Sequence, residues 1–503
     1  GAPIINSSHF FGFFSAFNSD IIENVTLYKN GIPAKYGGRV SSVMEIDLIQ
    51  ANKEKFKMRG GVNPFSARLL AEIPLGNRAS IAASGRATYS DWILGLLNNK
   101  QLQKSSAGFY DFQAIADIDI NARNTLSFSG YYSNDKFNLH KQSAFDYSNI
   151  ATTINWRHQY NAGFNSTISF ITSQYDYELS SLQDTASFKK MLYSLQQKIV
   201  RADFCYLLDA NHTLDFGFEG NIYNLMPGKQ IPLGENSIIQ PKTLQKESAW
   251  ETALYISDEY NVSSVLNISA GLRLPLFVVV GPRDLVVFGE NSPHTKGYVI
   301  DTIQYSNNEI INSNLHPEFR FIAKLNLWSD NSIKAGYQRI YQYIHKISNT
   351  ASVSPTDIWK LSAPNIPPQR GDQISIGYYQ NFFRKKIETS FEMYYKKMDN
   401  IIDYRSGAEL LMKENLETEL LAGIGKSYGM EFMIKKPDGD LTGWISYTYS
   451  RALHKIDSEF ESDKVNNGNF FPANFDKPHD LKLVLNYKIS RRLNLTSNFS
   501  YST

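Results

Sequence analysis

The feature that most constrains this chain is an alternation of apolar and polar side chains with a period of two, repeated in many separate segments. Segment 481–489 shows it clearly, with Leu481, Leu483, Leu485, Tyr487 and Ile489 on one side and Lys482, Asn486 and Lys488 on the other. The pattern recurs in 214–222, 445–450 and 493–501. Because successive side chains of a strand point to opposite faces, the repeats predict a wall with one lipid-facing and one water-facing side.

The connections between these segments fall into two classes that take turns along the chain. Short polar turns lie near 76–77, 122–123, 161–162, 210–211, 262–263, 330–331, 384–385, 438–439 and 491–492. Long irregular segments lie between them, at about 91–107, 138–148, 180–190, 227–246, 279–312, 346–369, 400–426 and 454–478. Outer-membrane barrels have this asymmetry, with tight periplasmic turns and long outer loops, whereas a β-sandwich or propeller gives no reason for it.

The number of strands carries a further expectation. Counting from 56–62, the sequence predicts about 19 strands of an all-β, antiparallel transmembrane barrel. Bacterial single-chain barrels generally have an even number of strands. We therefore expect the chain to stop at the outer rim with an unpaired edge and to lack its closing strands.

Composition excludes several classes of protein. Hydrophobic residues make up 42% of the chain, yet no run approaches the roughly 18 consecutive apolar residues of a spanning helix. A formal net charge of +2 provides no basic field for nucleic acid. The single cysteine, Cys205, forms no intrachain disulfide and no cysteine-based metal site.

Catalytic motifs are also missing from the sequence. The nine histidines lack the His-Glu-x-x-His spacing of a zinc site, and no Gly-x-Ser-x-Gly elbow occurs. We expect no enzyme activity, no cofactor and no metal site.

The first fifty residues differ from the rest. They hold an aromatic stretch at 9–14, a short strand at 21–28, a glycine-marked turn at 30–38 and a second strand at 40–48. None of these has the length and alternation of a lipid-facing strand. The sequence therefore predicts two units, a compact domain at 1–50 and the barrel wall at 51–503.

The run 24–46 resembles the end of the plug domain of TonB-dependent receptors. It has a strand leading to the turn Lys29-Asn30-Gly31, then the turn Tyr36-Gly37-Gly38 and a final strand that runs into the barrel. Segment 9–18 resembles the version found in Bacteroidetes-type receptors, and 342–345, 355–359 and 394–398 agree with the barrel of that family. The resemblance implies a wall of about 22 strands around a plug. By this comparison most of the plug, including the segment that contacts TonB, and about three strands are absent.

The resemblance also implies a function. It suggests active uptake of a scarce nutrient across the outer membrane, with an iron-siderophore favoured and energy supplied by the TonB-ExbB-ExbD complex. The surroundings would be outer-membrane lipid and lipopolysaccharide. Two alternatives stay open, a ligand-sensing signalling receptor and a SusC-type glycan or peptide importer with a surface lipoprotein partner.

Two sets of residues are candidates for the functional site. The family places ligand between the plug apex and the outer loops, so His9, Phe10, Phe11 and Phe14 are candidates for binding a small molecule or chelate. The alternative is that Phe10, Phe13 and Phe14 pack a small core. Loops carrying Tyr305, Trp359, Arg405 and Glu409 would complete the site, since loops on a rigid scaffold carry binding function.

The second set consists of charged residues expected inside the barrel. Alternation turns Arg201, Asp203, Asp215 and Glu219 inward, where Lys29 and Arg39 of the first unit could pair with wall carboxylates. The alternative is that these charges only line hydrated space.

Overall fold

The fold was determined as a computed structural model that describes residues 1–348, 357–383 and 385–503, without the side chain of Phe11. The expected turn at 384–385 and the resemblance at 355–359 therefore lie partly outside the described residues. Four short strands belong to the N-terminal segment: β1 (Ser8–His9), β2 (Phe14–Ser15), β3 (Ile22–Tyr28) and β4 (Val43–Leu48). The strands β3 and β4 pair with each other in an antiparallel sheet.

The rest of the chain is almost entirely strand. The strands are β5 (Lys57–Val62), β6 (Ser66–Pro74), β7 (Ala79–Thr88), β8 (Ser106–Asn121), β9 (Asn124–Leu139), β10 (Ser143–Asn161), β11 (Phe164–Ser181), β12 (Lys189–Leu207), β13 (His212–Pro232), β14 (Lys242–Thr243), β15 (Glu247–Asn261), β16 (Leu266–Val280), β17 (Arg283–Phe288), β18 (Val299–Tyr305), β19 (Ile310–Leu315), β20 (Glu318–Trp328), β21 (Asn331–Gln342), β22 (Ile344–Ile347), β23 (Ile358–Leu361), β24 (Gln369–Phe382), β25 (Ile387–Tyr404), β26 (Leu420–Lys436), β27 (Leu441–Lys455), β28 (Phe471–Pro472), β29 (His479–Lys488) and β30 (Asn494–Ser502). Among the described residues one α-helix, α1 (Asp91–Leu96), lies in the connection between β7 and β8.

These strands follow one another around a barrel in the order of the chain. Within the described residues, nineteen strands cross the wall, because β14, β19 and β28 are short additions at outer ends and the hairpins β17–β18 and β22–β23 form separate sheets. Each crossing strand is antiparallel to the one before it, as the registers of β12 with β13 and of β13 with β15 illustrate. The expected all-β architecture and strand count are confirmed, whereas the absence of closing strands stays a prediction.

The apolar-polar alternation of the sequence corresponds to the two faces of the barrel wall. On β13, Phe218 and Ile222 are exposed on the outer face, while Glu219 and Asn221 between them are buried inside. Leu485 and Tyr487 of β29 are likewise exposed rather than packed in a water-soluble core. No helix in the described part of the chain is long and apolar enough to cross a membrane.

Several outer loops are shorter than the sequence predicted. The expected loop at 138–148 is wrong, because β9 runs to Leu139 and β10 begins at Ser143, and the expected loop at 400–426 narrows to 405–419. The reason is that the strands continue to pair past the segments that show regular apolar-polar alternation. There both faces meet water or other loops, so the pairing continues although the apolar side of the alternation is lost.

Candidate functional site

The turn at 33–38 of the N-terminal segment packs against a cluster of buried charges on the wall. Arg273 of β16 is fully buried. Its Nη2 donates to Oε1 of Glu219 at 2.8 Å, and its Nη1 donates to the carbonyl oxygens of Lys35 at 3.1 Å and Ala34 at 3.5 Å. Arg201 donates from Nε to Oε2 of the same Glu219 at 2.7 Å. One carboxylate therefore orients two arginines, and one of these binds the backbone of the turn. We call Arg273, Glu219 and residues 33–38 the central contact.

The two glycines of the turn allow this close approach. A Cβ on Gly37 would collide with Nε of Arg273, and one on Gly38 would lie 3.1 Å from Oε1 of Glu251. Gly38 also has φ +74°, a left-handed conformation that favours glycine. Gly37 and Gly38 are thus required for the close contact with the wall, and Gly38 is required for the turn as well.

A second arginine reaches the same turn. Arg320 of β20 donates to the carbonyl oxygen of Tyr36 at 2.6 Å and to Oε2 of Glu318 at 2.9 Å. Beyond the turn, Nζ of Lys396 donates to the carbonyl oxygen of Val40 at 3.0 Å. The turn and Val40 are therefore fixed to wall strands by hydrogen bonds from wall side chains to backbone carbonyls, and these hydrogen bonds involve no side chain of the segment.

The charged residues predicted from the sequence are only partly brought together. Arg201 and Glu219 face each other across β12 and β13 as a cross-strand pair. Lys29 forms ion pairs with two wall carboxylates that the sequence did not single out, Glu431 and, at 3.8 Å, Glu392. Arg39 has no carboxylate within ion-pair distance among the described residues. It donates to the carbonyl oxygen of Gly38 at 2.8 Å and lies over the ring of Trp359 at 5.6 Å.

The remaining two carboxylates do not hold the N-terminal segment. Asp203 accepts a hydrogen bond from the hydroxyl of Tyr255, and Asp215 is exposed. Sequence reasoning also missed the arginine at the centre of the contact. Arg273 was detectable as a charged residue within the apolar run 272–280.

The structure places His9 in a wall contact rather than on an open apex. Its Nδ1 lies 2.7 Å from Oδ2 of Asp135 and its Nε2 lies 3.5 Å from Oδ2 of Asp111, while the ring stacks on Phe109 at 4.1 Å. Arg86 donates to the same Oδ2 of Asp111 at 2.7 Å. Burial lowers the pKa of His9, but hydrogen bonding to Asp111 and Asp135 raises it more, so that the net shift is upward. We call these residues the His9 contact.

The aromatic residues beside His9 surround the same wall residue. Phe10 and Phe14 lie 5.2 Å and 5.4 Å from the ring of Phe109, whereas Phe13 is 85% exposed. The side chain of Phe11 lies outside the described residues. Phe10 and Phe14 thus pack against the wall, and of the residues of this stretch with described side chains Phe13 is the one turned outward.

Above the N-terminal segment the outer loops enclose a cavity of about 370 Å³. The hairpin β22–β23 folds inward beside it. There Ile344 and Leu361 join a buried aromatic cluster, and the backbone nitrogen of Trp359 donates to the hydroxyl of Tyr193 at 2.8 Å. Trp359 lines the cavity and also covers Arg39. The side chain of Trp359 therefore contacts both the cavity and Arg39 of the N-terminal segment.

The loop residues that the sequence selected have separate positions. Trp359 lines the cavity, and Tyr305 pairs in register with Arg283, which also lines it. Arg405 forms a two-pronged ion pair with Asp463, and Glu409 is exposed. Within the described ranges no group of three His, Cys, Asp or Glu side chains could hold a metal ion.

The structure has the features of the class of outer-membrane transport barrels. These features are a wall of strands with alternating apolar and polar side chains, a segment held inside the wall by polar contacts, and a cavity on the loop side. Residues 77–502 match the family model described as TonB dependent receptor-like, beta-barrel, and the chain belongs to this family. No curated protein matches it.

Solved structures share the fold. The ferripyoverdine receptor of the outer membrane of Pseudomonas aeruginosa is 13% identical, with a TM-score of 0.66, covering 96% of this chain and 68% of that one. The alcaligin receptor of Bordetella pertussis is 12% identical, with a TM-score of 0.63 and coverage of 99% and 82%. The hemophore receptor HasR of Serratia marcescens, solved with its hemophore and heme, is 10% identical, with a TM-score of 0.66 and coverage of 99% and 82%.

Family membership settles the general role of the chain. The protein lies in the outer membrane and serves TonB-dependent transport of nutrients, and it is not an enzyme. The expectation of a Bacteroidetes-type receptor stays a prediction.

Proposed function

We propose that this protein takes up an iron chelate, which it first binds in the cavity beneath the outer loops. In this proposal residues 1–50 are the C-terminal part of a plug domain and residues 51–503 are the barrel. The TonB-ExbB-ExbD complex supplies the energy that moves the plug, in a membrane of outer-membrane lipid and lipopolysaccharide. His9, Phe10, Phe11 and Phe14 then serve as plug residues near the ligand path.

The observation that carries this proposal is the way the N-terminal segment is held. The central contact joins a fully buried arginine to backbone carbonyls of the segment, and the His9 contact joins a buried histidine to wall carboxylates. Buried polar contacts cost several kcal/mol when one partner is taken away. A segment fixed in this way blocks passive diffusion and has to be pulled, which fits active uptake better than an open pore.

The preference for an iron chelate rests on the solved structures that share this fold. The receptors from Pseudomonas aeruginosa and Bordetella pertussis are named for ferripyoverdine and alcaligin. A copper transporter with a TM-score of 0.69 and a hemophore receptor share the fold as well. Copper and heme are therefore the first substrates to test if iron chelates fail.

The test uses the complete gene in its own host. Deletion is expected to slow growth on iron-limited medium and to abolish uptake of radiolabelled ferric chelates, and the complemented strain should recover both. Removal of TonB should give the same loss. Normal growth of the deletion strain on low iron, together with unchanged ferric uptake, would end the iron proposal.

Two further strains separate the alternatives. A signalling receptor would alter transcription of target genes on addition of the chelate even when uptake is blocked. A SusC-type importer would lose uptake when a neighbouring gene for a surface lipoprotein is deleted. In an iron-chelate transporter neither effect is expected.

A further inference from the structure

The cavity under the outer loops is lined by two buried charged groups, each of which has a buried polar atom without a hydrogen-bond partner among the described residues. Arg283 at the start of β17 is 7% exposed, and Glu417 in the 3-10 turn Leu416–Glu419 is 5% exposed. Among the described residues, Nη1 of Arg283 and Oε2 of Glu417 make no hydrogen bond. Buried polar atoms without partners are uncommon in folded proteins, so two in one cavity call for an explanation.

The other charged side chains of the cavity have partners. These are Lys360 with Glu247, Lys413 with Glu419 at 2.6 Å, Glu414 with Lys242 at 3.1 Å, and Asp284 with Gln245 at 2.6 Å. The nearest carboxylate oxygen to Arg283 belongs to Glu247, at 4.0 Å, and Glu247 already binds Lys360 and the backbone nitrogen of Leu361. Glu247 thus faces two cations, Lys360 and Arg283, so one buried positive charge is in excess. Glu417 adds one buried negative charge, whereas Asp284, whose partner is the neutral Gln245, is only partly buried.

These two charges do not neutralise each other. No ion pair within 4.0 Å joins Arg283 to Glu417 in the part of the chain that the structure describes. A ligand with two opposite charges can satisfy both, since an anionic group pairs with the guanidinium and an ammonium group pairs with the carboxylate. A volume of about 370 Å³ lies within the range of small-molecule sites.

We propose that this cavity binds a zwitterionic ligand, whose anionic group contacts Arg283 and whose cationic group contacts Glu417. The inference rests on the proposed function in taking this cavity as the ligand site, and it deepens that function by naming the charge pattern of the ligand. A purely anionic or purely cationic compound leaves one buried charge unpaired. The site discriminates against such compounds for that reason.

The test is a binding measurement on the purified full chain in detergent, by isothermal titration calorimetry. Three probes of nearly equal size differ only in charge: trialanine, its N-acetyl form and its C-terminal amide. Trialanine is expected to bind at least about tenfold more tightly than either blocked form, because each blocked form loses one charge-assisted contact. Equal affinities, or no binding of trialanine, would overturn the proposal.

Two substitutions assign the charges. Arg283→Met should remove the preference for trialanine over its amide, and Glu417→Gln should remove the preference over the N-acetyl form. Arg491→Met in a periplasmic turn and Glu461→Gln on an exposed loop are the matched controls and should leave all three affinities unchanged. If Arg283→Met does not fold, the test rests on Glu417→Gln. A Glu417→Gln variant that still prefers trialanine over its N-acetyl form contradicts the assignment.

The proposal of a zwitterion site and the proposal of iron-chelate uptake can be contradicted separately. Discrimination among the three peptides without uptake of ferric chelates would leave the zwitterion site standing and remove the iron proposal. Ferric uptake without discrimination would do the reverse.

Discussion

Two of the contacts that hold the N-terminal segment differ in their surroundings. In the central contact Arg273 is fully buried and binds both Glu219 and the backbone of the turn. At Lys29 the ion pairs with Glu392 and Glu431 involve a side chain that is 40% exposed. The contacts use the same chemistry, a cation and a carboxylate, but water reaches only one of them.

The difference in burial predicts which of the two contacts contributes more to holding the segment in place. An exposed ion pair contributes about 0–1 kcal/mol, because water and salt screen it. A buried pair does not necessarily stabilise more than an apolar packing would, yet removing one partner costs about 3–5 kcal/mol. We therefore expect mutational effects on release of the segment to follow burial rather than the number of ion pairs.

The largest effect is expected for Arg273→Met. The substitution removes the donors to the carbonyls of Lys35 and Ala34 and leaves Glu219 with Arg201 alone. The free energy of local opening of residues 30–40 should fall by about 3–5 kcal/mol. Amide hydrogen exchange of these residues in the purified protein measures it. An exchange pattern like that of Arg491→Met would contradict the importance of burial.

The next effect concerns the His9 contact and depends on pH. Because the folded pKa of His9 is raised above its ordinary value of 6.5, the contact stabilises fully below that value and weakens as pH rises through the raised pKa. His9→Phe keeps a ring on Phe109 but removes the charge. We expect about 1.5–3 kcal/mol less stability of residues 8–16 at low pH, and a flat pH profile.

Exchange measured across this pH range, corrected for intrinsic rates, checks the expectation. A profile in the original protein that stays flat from below 6.5 upward would show that His9 holds no charge that matters.

A smaller effect is expected for Gly37→Ala. The added methyl group would meet the side chain of Arg273, which can move only by giving up its contacts, at a cost of about 1–3 kcal/mol. Gly85→Ala is the matched control, since its nearest neighbour would lie 3.8 Å away. Exchange at 30–40 should increase in the first variant only. Equal behaviour of the two variants would sink the steric argument.

The smallest effect is expected for Lys29→Met, about 0–1 kcal/mol. Added salt should reduce even this difference, because partly exposed charges are screened. A loss as large as that of Arg273→Met in the same exchange measurement would remove the distinction between the two contacts.

Much of the fold could be predicted because the alternation is a local signal. Within each strand, apolar side chains that face lipid alternate with polar side chains that face water. A segment such as 214–222 can therefore be recognised as part of the wall from its own residues alone. The same local signal turned Arg201 and Glu219 inward, and they meet because their strands are adjacent. Loop bounds were less predictable, since above the membrane the apolar half of the pattern disappears while pairing continues.

The candidate site was only partly predictable. Lys29 was proposed as an ion-pairing residue, but its partner Glu431 lies 402 residues away along the chain, Glu392 is similarly distant, and no local pattern connects them. His9 was expected to face ligand, and the structure places it against Asp111 and Asp135. Arg283 and Glu417 escaped notice because their significance depends on burial and on single atoms that find no hydrogen-bond partner among the described residues.

By itself the sequence determined the wall, its number of strands and its two faces, since these follow from the order of polar and apolar residues within single strands. Only the tertiary structure decided which charges are buried and which of them are paired. The physical reason is that desolvation depends on every group around an atom, and in a barrel most of these groups come from distant strands and loops.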